Sequence, residues 1–258
     1  MASLRARHQL VTGGAAIWTV VATAWGLALL SVATGYDRLL RHDAIIHAGS
    51  LPGPLAVLLF LVPWQVMTGA MMLPSSRPMV GLFAQASHRQ ACPRLALITF
   101  LAAYFAVWSG FALVALTGDA GLHHLVERWR WLDERPKLIG GTVLVLAGAF
   151  QFSPLKERCL DACRSPAGFL WRYYQRGVRS AWVLGLRHGL FCLGCCWALM
   201  LTMFAVGVGS LAWMSVLTGV MLIEKTARWG RRLVPLVGVA LLAWGAIVLL
   251  QPGWLPLP

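Results

Sequence analysis

Cys192, Cys195 and Cys196 fall within about one and a half helical turns of the stretch Gly189-Leu190-Phe191-Cys192-Leu193-Gly194-Cys195-Cys196-Trp197-Ala198-Leu199-Met200. Half of the six cysteines are thus concentrated in a segment that otherwise reads as a membrane helix. Thiolate sulfur is a soft ligand, suited to copper(I), zinc or iron–sulfur chemistry. Taken at about 100° per residue, the helix places His188, Cys192, Cys195, Cys196, Met200 and Met203 within an arc of about 140°. These donors form a one-sided ladder from one helix end toward its middle. A packing reading stands beside the ligand reading. Gly185, Gly189, Gly194 and the cysteines are small enough for close helix contact, and methionine fills irregular cores.

The elements that must position this ladder are apolar helices. Of 258 residues, 59% are hydrophobic and 12% are charged, with a mean hydropathy of +0.70. A hydrocarbon layer of roughly 30 Å requires about 20 helical residues. Seven runs approach that length, at 15–34, 54–74, 95–117, 138–153, 188–206, 210–224 and 234–251. The expected fold is an all-α, polytopic membrane helix bundle of about seven transmembrane helices, one integral membrane domain over residues 1–258. Ser31-Val32-Ala33 resembles a signal cleavage site, but the run before it exceeds a signal h-region and reads as a retained first helix. The net charge of +13 is distributed by side. With the N-terminus inside, inner segments carry 16 Lys and Arg residues and outer segments 6. This is the positive-inside bias of an N-in/C-out chain in the inner (plasma) membrane of a cell. It makes the basic balance a topology and lipid-headgroup signal, which argues against nucleic acid as a partner.

With that orientation, a second donor set reaches the depth of the first. It ends the second run as Trp64-Gln65-Val66-Met67-Thr68-Gly69-Ala70-Met71-Met72-Leu73-Pro74-Ser75-Ser76. Met67 and Met71 share a face with Trp64, and Met72 lies about 100° further round. Met67 and Cys195 each fall about 10 Å inside the inner boundary, counted from Pro74 and His188. Thioether with thiolate favours copper(I), with zinc as the second possibility.

The inner-side connection 153–187 is expected to be interfacial, with helices opened by Ser153-Pro154 and Ser165-Pro166. On the first of these, Cys159 and Cys163 share a face beside Lys156, Arg158 and Arg164, a secondary inner site. Inner-side cysteines argue against a disulfide framework. His42, His47, His123 and His124 occupy the outer loops with six of the nine acids, an outer collection site for a cation. Glu224 and Lys225 read as an anchor at a helix end, or as a relay for a cation or proton. The sequence contains no Gly-rich phosphate loop, nucleophile elbow or HExxH arrangement, so binding or transport is favoured over catalysis.

The combination of motifs resembles a bacterial family described as predicted metal-binding integral membrane proteins. The resemblance rests on Trp64…Met67…Ala70-Met71-Met72-Leu73-Pro74-Ser75, on Pro154-Leu155-Lys156…Cys159-Leu160…Cys163-Arg164-Ser165-Pro166, on Gly194-Cys195-Cys196-Trp197…Leu199-Met200, and on Trp213-Met214…Glu224-Lys225. It covers roughly residues 55–230 and implies metal binding. The chain departs from the family at Val208-Gly209-Ser210, where a Met-Asn pair is usual. The expected function is binding of copper(I) for transport, delivery or storage, with lipid, a metal ion and a metallochaperone or metalloenzyme as partners. Two other readings stay open: a membrane thiol-redox protein, and a structural subunit whose small residues only pack helices. Adjacent Cys195 and Cys196 diverge by about 100°, which counts against a disulfide between them.

Overall fold

Backbone amides in an apolar run have no water to bond, so the run satisfies them internally by forming a helix. The computed structural model describes residues 2–34, 53–129, 131, 135–206 and 210–250. Among them are nine helices and no strand: α1 (Ala2–Ala33), α2 (Gly53–Ser87), α3 (Pro93–Arg128), α4 (Pro136–Phe150), α5 (Pro154–Arg164), α6 (Pro166–Tyr173), α7 (Val178–Val206), α8 (Leu211–Thr226) and α9 (Gly230–Leu250). Helices α3 to α6 each begin with proline, whose missing N–H costs nothing in a first turn. Ser153 caps α5 by accepting from the Lys156 amide at 3.1 Å. Ser165 occupies the corresponding place before α6 without a side-chain cap bond.

Among the described residues, four helices are long and apolar enough to cross a membrane: Val57–Ser87, Pro93–Val126, Val178–Met203 and Gly230–Leu250. A fifth is added if α4 and α5, bent by 64° at their junction, count as one broken span. The expectation was seven. The difference lies in length, since α8 has 16 residues and the apolar part of α1 covers only Ile17–Ala33. Many apolar side chains point outward, among them Leu58, Val62, Ile98, Val114, Leu146, Leu190 and Leu236.

Helix α7 is the hub and packs on α3, α4, α5 and α8, while α2 packs on α1, α3, α6 and α8. Proline shapes α2, which contains Pro63, Pro74 and Pro78. Pro74 has no N–H to offer the Ala70 carbonyl, and the Trp25 indole of α1 donates to that carbonyl at 3.2 Å instead. Helices α4 and α9 meet through glycines. A Cβ on Gly148 would lie 2.8 Å from the Leu242 amide nitrogen and 2.9 Å from the Gly238 carbonyl oxygen, so the two backbones touch there.

That contact predicts a stability difference between two glycines. Gly148→Leu should destabilise the protein by about 1–3 kcal/mol through overpacking. Gly110→Ala, with open space around the new methyl, should be neutral or stabilising by up to about 1 kcal/mol. Thermal unfolding in detergent, followed by tryptophan fluorescence, measures both.

Candidate metal site

Within one turn of α7, geometry decides where the thiols point. The Cys195 and Cys196 side chains both donate back to the Cys192 carbonyl, at 3.1 and 2.7 Å. They nevertheless reach different neighbours. Cys196 Sγ lies 3.6 Å from Met72 Sδ on α2, and Cys195 Sγ lies 3.9 Å from Cys163 Sγ on α5. Cys192 Sγ lies 3.1 Å from the Tyr104 hydroxyl on α3. The three cysteines of α7 are fully enclosed, as are Met71, Met72, Met200 and Met203, with Met67 buried nearby in the same core.

The ammonium of Lys225 reaches into this sulfur cluster from the last turn of α8. Its Nζ lies 3.1 Å from Cys192 Sγ, 3.7 Å from Cys196 Sγ and 3.3 Å from Ser75 Oγ. Ser75 in turn donates to the Met72 carbonyl at 2.9 Å. On the other side, Ser76 Oγ donates to the Tyr104 hydroxyl at 3.3 Å. One polar chain therefore runs Ser76, Tyr104, Cys192, Lys225, Ser75, tying α2, α3, α7 and α8 together through buried groups.

Beside it stands a buried ion pair. Lys156 of α5 meets Glu224 of α8 at 2.8 Å, with both side chains at 2% exposure or less. Arg164 closes the end of α8 by donating to the carbonyls of Glu224 and Ala227, the latter at 2.8 Å, which satisfies acceptors that a helix terminus leaves open. The second oxygen of Glu224, Oε1, has no hydrogen-bond partner among the described residues. Glu224 and Lys225 are thus interior groups. The anchor expected at a helix end is corrected here, because α5 folds over that end and excludes water. Lys156 and Arg164, expected to favour thiolates on α5, serve the carboxylate and carbonyls of α8 instead.

The structure distributes the other expected residues as follows. Cys159 is buried against Gly194, where a Cβ would come within 2.5 Å of its sulfur. Cys159 and Cys163 thereby adjoin the α7 cluster, and Cys163 extends it. His188 is enclosed by the rings of Phe100, Tyr104 and Phe169, with centroids 5.5–6.0 Å away. Its Nε2 has no hydrogen-bond partner among the described residues. His42 and His47 lie outside the described residues. His123 lies 19 residues beyond Tyr104 along α3, about 28 Å at 1.5 Å per residue. Its ring Nδ1 is 3.0 Å from the Asp119 carbonyl oxygen and 3.7 Å from the Asp119 carboxylate; His124 follows it on the same helix.

Among the described residues no three His, Cys, Asp or Glu side chains form a group that could hold a metal ion. The donors that do approach one another are sulfur: Cys196 with the Met72 thioether, and Cys195 with Cys163. Sulfurs bound to a common ion at about 2.3 Å each stand roughly 3.8–4.6 Å apart. The two sulfur–sulfur separations are near that range, so each pair of sulfurs could share a soft ion. The sequence reading of the site lacks Tyr104 and Ser75, and holds Lys225 only as a helix-end anchor or relay. The available signals were a hydroxyl inside an apolar run, and a lysine next to a glutamate at its end.

The ion pair predicts strong coupling. Glu224→Leu leaves the Lys156 charge buried and should cost about 3–5 kcal/mol, whereas Lys156→Met with Glu224→Leu should cost much less. Chemical unfolding of these two variants and of Lys156→Met alone, in mixed micelles, tests this as a double-mutant cycle.

Residues 61–248 match the model of a protein family described as PpoB2, a copper chaperone. No curated protein and no solved structure matches.

Proposed function

The chain belongs to this copper chaperone family, and from that premise we propose that it is a multi-pass membrane protein that binds copper(I) and passes it on. The description of the family agrees with the metal expected from the donors, although it differs from the family description to which the sequence motifs were likened. The observation that carries the reading is the placing of Cys192 and Cys196 around Lys225 Nζ, with the Met72 thioether 3.6 Å from Cys196 and the Cys195–Cys163 pair next to it. Thiolate and thioether together select copper(I) over harder divalent ions.

In this reading, Cys192, Cys196 and Met72 take the ion first. Met67, Met71, Met200 and Met203 supply the surrounding thioether shell, and His188 offers a free imidazole nitrogen at its edge. Exchange onto Cys195 and then Cys163 carries the ion to α5, where Cys163 is only half-buried. Stepwise exchange between donors of near-equal strength keeps each barrier low, as in multi-site channels. Cys159 lies one turn back along α5 as an alternative acceptor. The outer histidines would gather the ion before entry. The N-in/C-out orientation, supported by the 16-to-6 charge bias, puts α5 on the cytoplasmic side, where a metallochaperone or metalloenzyme would meet it.

The test is elemental analysis of protein purified in detergent after expression with added copper under reducing conditions. The full chain should retain about one copper ion, and the Cys192→Ala/Cys195→Ala/Cys196→Ala variant should retain none. Cys163→Ala should keep the bound ion but slow its transfer to an external thiol by about tenfold or more. Absence of metal from both proteins would overturn the reading and favour thiol redox chemistry, for which Cys163 and Cys195 are the pair in reach.

A further inference from the structure

The charged groups around the sulfur cluster do not cancel. Lys156 of α5 and Glu224 of α8 neutralise each other at 2.8 Å. Arg164 of α5 spends its donors on carbonyls at the end of α8. Lys225 remains, with two thiols and one hydroxyl as its partners among the described residues and only 6% of its surface exposed. A buried charge is tolerated only when it is offset nearby, and here the groups able to offset it are the sulfurs of Cys192 and Cys196.

From this placement we infer that Lys225 sets the charge of the ion the site accepts, favouring a monovalent over a divalent metal. The inference rests on the copper reading above and deepens it. Thiols bind metal as thiolates and release their protons, so the two sulfurs that Lys225 touches contribute two negative charges. One belongs to the ammonium. The other is matched by a monovalent cation, which leaves the closed site neutral. A divalent ion on the same two sulfurs leaves one positive charge uncompensated where no water can solvate it. The third thiolate that would correct this belongs to Cys195, whose sulfur is turned toward Cys163. Softness of the donors and charge of the site therefore act independently, and Lys225 supplies the second criterion. It is a specificity residue through its field and needs no bond to the metal.

The experiment compares affinities of the full-length protein in detergent for two probes. Copper(I) is measured by competition with bathocuproine disulfonate, and zinc(II) by competition with 4-(2-pyridylazo)resorcinol. Lys225→Gln should lower the ratio of copper(I) to zinc(II) affinity about tenfold or more, whereas Lys225→Arg should hold it within about threefold. Ser75→Asp leaves the lysine in place and sets a carboxylate beside it. It should shift the ratio in the same direction as Lys225→Gln, which keeps the proposal decidable if one of the two does not fold. A ratio unmoved by both charge-cancelling variants, or lowered equally by Lys225→Arg, overturns the proposal and leaves copper binding intact. Failure of the unaltered protein to bind copper(I) overturns both.

Discussion

Three charged side chains, Lys156, Glu224 and Lys225, are enclosed in an apolar bundle, and the arrangement of α2, α5, α7 and α8 follows from that. A charge removed from water must be met by an opposite charge or by several hydrogen bonds, or the fold loses more than packing can return. Glu224 satisfies this through Lys156, which draws α5 against α8. Lys225 satisfies it through sulfur and a serine hydroxyl, which draws α8 against α7 and α2. The bend of 64° between α4 and α5 is what brings Lys156 to its partner.

The same constraint explains the small residues. Gly194 lets α5 lie on α7 closely enough for Cys159 to touch its backbone. Without that approach, Cys163 would not come within 3.9 Å of Cys195. Pro74 frees a carbonyl of α2, and the Trp25 indole takes it up. That bond helps to anchor the turn from which Met72, Ser75 and Ser76 reach α7, α8 and α3. The polar chain from Ser76 to Ser75 is thus a fastening of four helices as well as a surrounding for the thiols.

A carrier of copper(I) must bind the ion tightly enough to exclude others and loosely enough to release it. In the proposed reading, sulfur donors would meet the first requirement by their softness. A cluster divided between α2, α7 and α5 would meet the second, because each transfer would break one bond while another forms. The ion pair and Arg164 fasten α5 to α8, and none of those three side chains is a soft donor. Binding and positioning would therefore fall to different residues.

The helical character of the chain and the candidacy of Cys192, Cys195 and Cys196 were legible in the sequence. Both follow from local quantities: apolar run length, and residue type at helical spacing. The expectation that a methionine of α2 comes level with the cysteines of α7 rests on rise per residue alone, and the contact seen is one of that kind, Met72 with Cys196. Which methionine makes contact was not. Met67 and Met71 were expected to face the thiols, and Met72 is the one 3.6 Å from Cys196. Rotation of a helix about its axis is set by its neighbours, and α2 carries three prolines that interrupt its hydrogen-bond ladder. Lys225 was placed at a boundary because it ends an apolar run. Only the fold-back of α5 turns that boundary into an interior, and no local pattern encodes a contact between residues 156 and 224. Composition and periodicity determined what the candidate donors are and which helix presents them. Tertiary structure decided which donors meet and which charge sits among them, because burial of a charge depends on everything packed around it.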